Sequence, residues 1–189
     1  MQKEMNLISP INTECFNEIL EFATIEKLDK NDLYSREGTF AKKLTFVCEG
    51  VLRIFHTNDQ GEEWNKHFIV EHDFFSASSN PETPSTISIQ AITKVIQISV
   101  PLNHIYALAK KDDSISKFIQ KLITLTLEKE QQRGLMLMSL DAIKKYEFFT
   151  KTFPKLENRI THYYIASYLG ITPTQLSRVR KKISSHQQM

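Results

Sequence analysis

Near the end of the 189-residue chain, Thr174, Gln175, Ser177 and Arg178, followed by Arg180, Lys181 and Lys182, place hydroxyl, amide and cationic groups on one short stretch. Amide and guanidinium forks pair with adenine and guanine edges, and cations grip phosphates. The chemistry on offer is therefore recognition of duplex DNA. That chemistry needs a rigid platform, and the surrounding residues supply one. Residues 158–182 read NRITHYYIASYLGITPTQLSRVRKK, a pattern that fits two short helices around one tight turn. Counting from His162, Ile165 and Leu169 fall on the buried face of the first helix, and Ala166 stands where the helices approach closely. Gly170 suits a turn that needs positive φ. Ile171 plugs the turn, and Leu176 and Val179 recur at helical spacing on the second helix. Thr172 is suited to cap that helix and Pro173 to its first turn.

The face left over is Thr174, Gln175, Ser177, Arg178 and Lys181, with Arg180 and Lys182 beside it, and Thr172 is grouped with it at the helix start. Thr174, Gln175 and Arg178 are expected to point into the major groove, Arg178 toward guanine O6 and N7. Ser177, Arg180, Lys181, Lys182 and His162 are expected to meet phosphates. The bland alternative is a helical hairpin whose polar side only faces solvent. The charge distribution separates the two. Residues 141–189 hold nine Lys and Arg against Asp141, Glu147 and Glu157, an excess of six, so the preceding 140 residues carry −4 of the overall +2. A basic tail behind an acidic body points to a polyanion partner for the tail.

Other chemistries find little support. Cys15 and Cys48 are too few and too far apart for a disulfide scaffold, a zinc ribbon or an iron–sulfur site. There is no glycine-rich phosphate loop, nucleophile elbow or HExxH, and Glu62-Glu63 beside Gly61 reads as a solvated turn. A catalytic role is not expected. The start, MQKEMNLISP, has no apolar h-region, and no apolar run approaches spanning length. A soluble, cytoplasmic protein without a membrane partner is expected.

Upstream, residues 10–25 read as a short amphipathic helix with Phe16, Ile19, Leu20 and Phe22 on its apolar side. From residue 27 to about 100 the period changes. Alternating runs at 44–48, 51–55, 67–70, 86–89 and 95–100 are separated by turn signals at Glu37-Gly38, Glu49-Gly50, 58–61, Asn80-Pro81 and Pro84. Regular short strands with glycine corners suggest an antiparallel barrel or jelly roll. Pro101 opens a helical region in which Ile115, Phe118, Ile119, Leu122 and Leu125 keep three- and four-residue spacing. Such a stripe is wide enough to serve both the β-domain and a second copy of the helix. Gly134 is expected to interrupt it, with a hinge at 133–140. A further helix at 142–152 would bring Ile143, Tyr146, Phe148 and Phe149 to a small second core.

The segments EGVLRIF at 49–55, 58–61, HDFF at 72–75, and IASYLG at 165–170 with Leu176-Ser177-Arg178 carry a resemblance. Over residues 10–183 the chain resembles the cyclic-AMP receptor (Crp/Fnr-like) family of bacterial transcription regulators. The resemblance implies an α+β chain. It would have an N-terminal double-stranded β-helix (jelly-roll, cyclic-nucleotide-binding-like) domain, a long dimerisation helix, and a C-terminal helix-turn-helix domain. The corresponding division is 1–132 and 133–189. It implies double-stranded DNA, a second copy of the chain through the helix around 103–132, and RNA polymerase as partners.

The resemblance breaks at the ligand site. Family members that bind a cyclic nucleotide carry a Gly-Glu pair after the Asp-Phe-Phe-like segment and an Arg-Ser or Arg-Thr roughly ten residues later, whose guanidinium clamps the phosphate. Here Ser76-Ala77 and Ser85-Thr86 stand in those places. A residual pocket would comprise Phe74, Phe75, Ser76, Ala77, Ser85 and Thr86. A buried phosphate without a cation is costly, so no cyclic nucleotide, and no other cofactor, is expected. Haem would need an axial ligand, for which only His67, His72 or His104 offer themselves. The few residues after Lys182 leave no room for the strand that commonly follows the recognition helix in the family, and 155–160 is short for a wing hairpin. The competing reading is a sensor module that acts through protein contacts.

Overall fold

The computed structural model describes residues 1–40, 42–78 and 82–186. The turn expected at Asn80-Pro81 lies outside the described residues. Eight strands pair antiparallel in two four-stranded sheets. They are β1 Thr24–Leu28, β2 Leu33–Ser35, β3 Lys43–Glu49, β4 Leu52–Thr57, β5 Glu63–Ile69, β6 Phe74–Phe75, β7 Ser88–Ala91 and β8 Val95–Pro101. One sheet runs β1-β8-β3-β6 and the other β2-β7-β4-β5, the jelly-roll arrangement expected from the alternating runs. Alternate residues of each strand point between the sheets. Val47, Leu52, Ile69, Phe75, Ala91 and Val95 form the apolar part of that layer.

Helices pack against the β1-β8-β3-β6 sheet through Leu44, Phe74 and Val100. The helix expected at 10–25 is shorter, α2 Thr13–Glu21, and a preceding α1 Gln2–Ile8 went unforeseen. Asn12 starts α2 by accepting the Glu14 N–H at 3.0 Å. Ile25 belongs instead to β1, whose pairing with β8 satisfies its backbone. Nor do residues 103–132 form one helix. α3 Leu102–Ala109 ends in a turn, and Asp112 caps a new helix, α4 Asp113–Ser139, by accepting the Ser114 N–H at 2.7 Å.

Gly134 does not interrupt α4. A mid-helix glycine costs about 1 kcal/mol relative to alanine, and the packing of Met136 and Leu137 on the last turn outweighs this. The boundary expected at 132/133 therefore falls inside a continuous helix of roughly 40 Å. The helical path breaks instead at Leu140, before α5 Ala142–Thr152. Of the stripe expected to serve two partners, Ile115 and Phe118 are spent inside the chain, packed with α1, α2 and α3. The apolar side chains that α4 leaves in solvent are Ile123, Leu127, Leu135 and Met138.

After α5 come a 3-10 turn at Leu156–Asn158, α6 His162–Leu169 and α7 Pro173–His186. These helices do not form a separate core. Phe149, Phe153, Ile165 and Tyr168 share one buried cluster with Val51, Phe68 and Ile92 of the roll. His67 on β5 lies at this junction, half-buried, its ring edge-on to Phe153 at 5.5 Å. Burial, reinforced by Lys129, Arg133 and Lys66, pushes its pKa down to about 3. The folded state then binds this proton less well than the unfolded chain does. Stability is expected to fall as pH drops below about 6.5, by about 2 kcal/mol at pH 5, and this loss levels off near pH 3. Glu71, held at about 2 by hydrogen bonds from Arg159, adds its own loss only below about pH 4.5. Thermal midpoints across pH 5–8 check this, since His67→Gln should flatten the slope.

Candidate nucleic-acid interface

The turn between α6 and α7 is built as its residue types require. Gly170 takes φ 61°, and its N–H and that of Ile171 return to the Ala166 and Ser167 carbonyls. Ala166 is 1% exposed, and Ile165, Leu169 and Leu176 are equally enclosed. At the start of α7, Thr172 Oγ1 accepts the Gln175 N–H at 3.1 Å, while Gln175 Oε1 accepts the Thr172 N–H at 2.9 Å. The two residues thus form a reciprocal capping box.

With Leu176 and Val179 buried, α7 presents Thr174, Gln175, Ser177, Arg178, Lys181 and Lys182 to solvent. The structure brings six of the eight expected DNA-facing residues onto this open face. Thr172 is exposed beside them, but its hydroxyl is engaged in the cap. Gln175 is exposed with its side-chain oxygen committed there too. Arg180 departs from expectation. It is half-buried and folds back, with Nε 3.6 Å from the Glu157 carboxylate and Nη1 3.3 Å from His162 Nδ1. Glu157 also accepts the Tyr146 hydroxyl. Arg180 is therefore tied to Glu157 and His162 beneath the open face of α7, while His162 itself stays exposed. The field of Lys182 also reaches Asp141, at the start of α5.

The described residues of the expected ligand pocket point in different directions. Phe75 is buried between the sheets against Tyr34, whereas Phe74 packs on Phe46 and Phe118, outside that layer. The Ser85 hydroxyl, where an arginine would clamp phosphate, donates to the Ala77 and Ile87 carbonyls at 2.8 Å each. Thr86 is exposed. The three histidines weighed as axial ligands are scattered. His67 faces Phe153, His72 lies 3.5 Å from Glu4, and His104 stacks on Phe22 at 3.7 Å. Among the described residues no group of three or more His, Cys, Asp or Glu is placed to hold a metal ion.

No protein-family model matches the chain, and no curated protein matches its sequence. Solved structures do match its shape. FixK2 from Bradyrhizobium japonicum superposes with a TM-score of 0.81 at 18% identity, over 87% of this chain and 86% of that one. CLP from Xanthomonas campestris, a c-di-GMP-responsive global regulator, gives 0.73 at 14% identity, over 93% of each chain. A transcriptional regulator from Eubacterium rectale, described as of the Crp/Fnr family, gives 0.72 at 16%, over 93% and 85%. The chain has the Crp/Fnr fold. Within that fold the pair α6–α7 is the C-terminal helix-turn-helix, and α4 is the long central helix.

Sequence reasoning missed the residues that tie this Crp/Fnr-like helix pair to the roll. Asn65 and Arg53 both reach α6, from about one hundred positions away. No local spacing marks such partners. The only available signal was an arginine in an otherwise apolar strand, at the centre of 51–55.

Proposed function

We propose that the protein is a sequence-specific, DNA-binding transcription regulator that works as a homodimer in the cytoplasm and performs no catalysis. One observation carries this reading: α7 buries Leu176 and Val179 while turning Thr174, Ser177, Arg178 and Lys181 outward together, on a helix capped at its entry. The resemblance of the whole chain to Crp/Fnr regulators supports it. The apolar side chains exposed on α4, Ile123, Leu127, Leu135 and Met138, supply a seam for a second copy. Two such subunits would read half-sites about one helical turn apart. RNA polymerase is a further partner in this reading. A response to cyclic AMP is not part of it, because neither a carboxylate nor a guanidinium stands at 76–77 or 85–86.

Fluorescence anisotropy with duplex DNA at stepped salt tests the reading. Affinity should fall steeply as salt rises, following release of counterions from the phosphates. Arg178→Ala should cost about 1–3 kcal/mol on the preferred duplex and relax the preference at one base pair. An equal loss on every duplex would demote Arg178 to a phosphate contact, and salt-independent or absent binding would overturn the regulator reading. Thermal shift with cyclic AMP should leave the midpoint unmoved.

A further inference from the structure

Arg53 is the one Lys, Arg, Asp or Glu among the described residues that the fold buries, at 3% exposure. It lies on the face of β4 that turns away from the roll interior. Its Nε and Nη2 donate to Gln90 Oε1 at 2.8 and 2.6 Å, Nη1 donates to Asn65 Oδ1 at 3.2 Å, and Nη2 reaches Glu63 at 2.6 Å. The guanidinium carbon sits 4.0 Å from the centre of the Phe55 ring and 4.4 Å from that of Tyr164, so the group touches both an aromatic of the roll and one of α6. Asn65, itself 2% exposed, continues the connection. Its side-chain amide donates to the Tyr164 carbonyl at 3.0 Å and its backbone N–H to Ser167 Oγ at 2.9 Å. From the other side, Arg133 of α4 donates to the Asn65 and Tyr168 carbonyls at 3.0 and 3.1 Å. β5 is the outer strand of its sheet, and α6 covers that edge.

Burying a guanidinium is costly, and an apolar side chain would fill the same space more cheaply. What an apolar residue does not supply is geometry. A planar fork with fixed donors and a stacking face holds its neighbours to one relative position. We propose that Arg53 is a positioning residue for DNA recognition: through Asn65 and Tyr164 it fixes α6 on the roll, and so sets the direction in which α7 faces a duplex. The helix pair is then placed by side chains of the roll itself. The DNA arm of this inference rests on the regulator reading; the clamp stands independently of it.

The test uses the full chain with Arg53→Met and, as a milder second variant, Ser167→Ala, which removes only the hydroxyl facing Asn65. Hydrogen exchange is read at the α6 amides and, separately, at β3 and β8. Arg53→Met should speed exchange in α6 by about tenfold or more while β3 and β8 keep their protection, and Ser167→Ala should move the same amides less. For DNA, duplexes selected from a random pool and unselected duplexes are titrated in parallel. Arg53→Met should lose about tenfold on the selected duplex and little on the unselected one, because the cations of α7 remain. General destabilisation would instead raise exchange everywhere and weaken both duplexes alike. Unchanged α6 exchange in both variants, or losses spread evenly over strands and duplexes, would overturn the proposal. If the parent protein binds no duplex, the regulator reading fails and the exchange arm alone decides the clamp. If Arg53→Met does not fold, Ser167→Ala decides on the same amides.

Discussion

Gly50→Ala is expected to destabilise the protein by about 3–5 kcal/mol, from strain and overpacking together. Gly50 joins β3 to β4 at φ 102°, a conformation that side chains rarely adopt. A Cβ added there would be driven into the Lys94 carbonyl oxygen and would stand 2.8 Å from Val95 Cα and 2.9 Å from Val95 Cγ2. Two of those three atoms are backbone, and Val95 is 1% exposed, so nothing nearby has room to yield. The Gly50 N–H is also held by Glu71 at 2.8 Å, and Val51 beside it lies in the cluster that joins roll to helices. Gly61 is the control. Its φ is 80°, but a Cβ there meets open space, so Gly61→Ala should cost only about 1 kcal/mol. Equilibrium urea unfolding of the two variants settles the comparison; equal midpoints would mean that the close approach to β8 does not matter.

Phe149→Ala should remove about 3–5 kcal/mol. Phe149 is fully enclosed, with ring centres of Tyr168 at 6.0 Å, Phe153 at 5.7 Å and Phe68 at 6.2 Å. Those neighbours belong to α6, the end of α5 and the roll, so the cavity would open at their meeting point. If the junction is one core, strand and helix signals in far-ultraviolet circular dichroism should lose stability together, in a single transition at lower denaturant. Two separated transitions in the variant, with the strand signal at its original midpoint, would show that the helices unfold independently of the roll.

Legibility varied along the chain for physical reasons. The helix pair was readable because enclosure at Ile165, Ala166, Leu169, Leu176 and Val179 constrains residue type at fixed spacing, and those five are all buried. The central strands were readable for the same reason, since β3, β4, β7 and β8 alternate or run apolar into the layer between the sheets. β1 was not, because only two of its five residues are even half-buried and its pattern carries no period. β6 has two residues and α1 seven, too few to show a period. Gly134 misled because a glycine stops a helix only where tertiary packing is indifferent, and here the packing beyond it is not. The Thr172–Gln175 box is legible as the T-x-x-Q spacing, and the same amide also suits a base edge, so residue type alone does not separate the two roles. Arg180 shows its charge in the sequence but not its pairing with Glu157, which only the packing of α7 on the preceding turn creates.

The double duty of Gln175 bears on how well a regulator of this kind could discriminate between promoters. An adenine that recruited the Gln175 amide would have to take it from Thr172, so part of what the base gave would go to replacing a bond the free helix already had. Promoters differing only at that base pair would then be ranked close together, and Arg178, which is exposed and has no such attachment among the described residues, would dominate the choice among them.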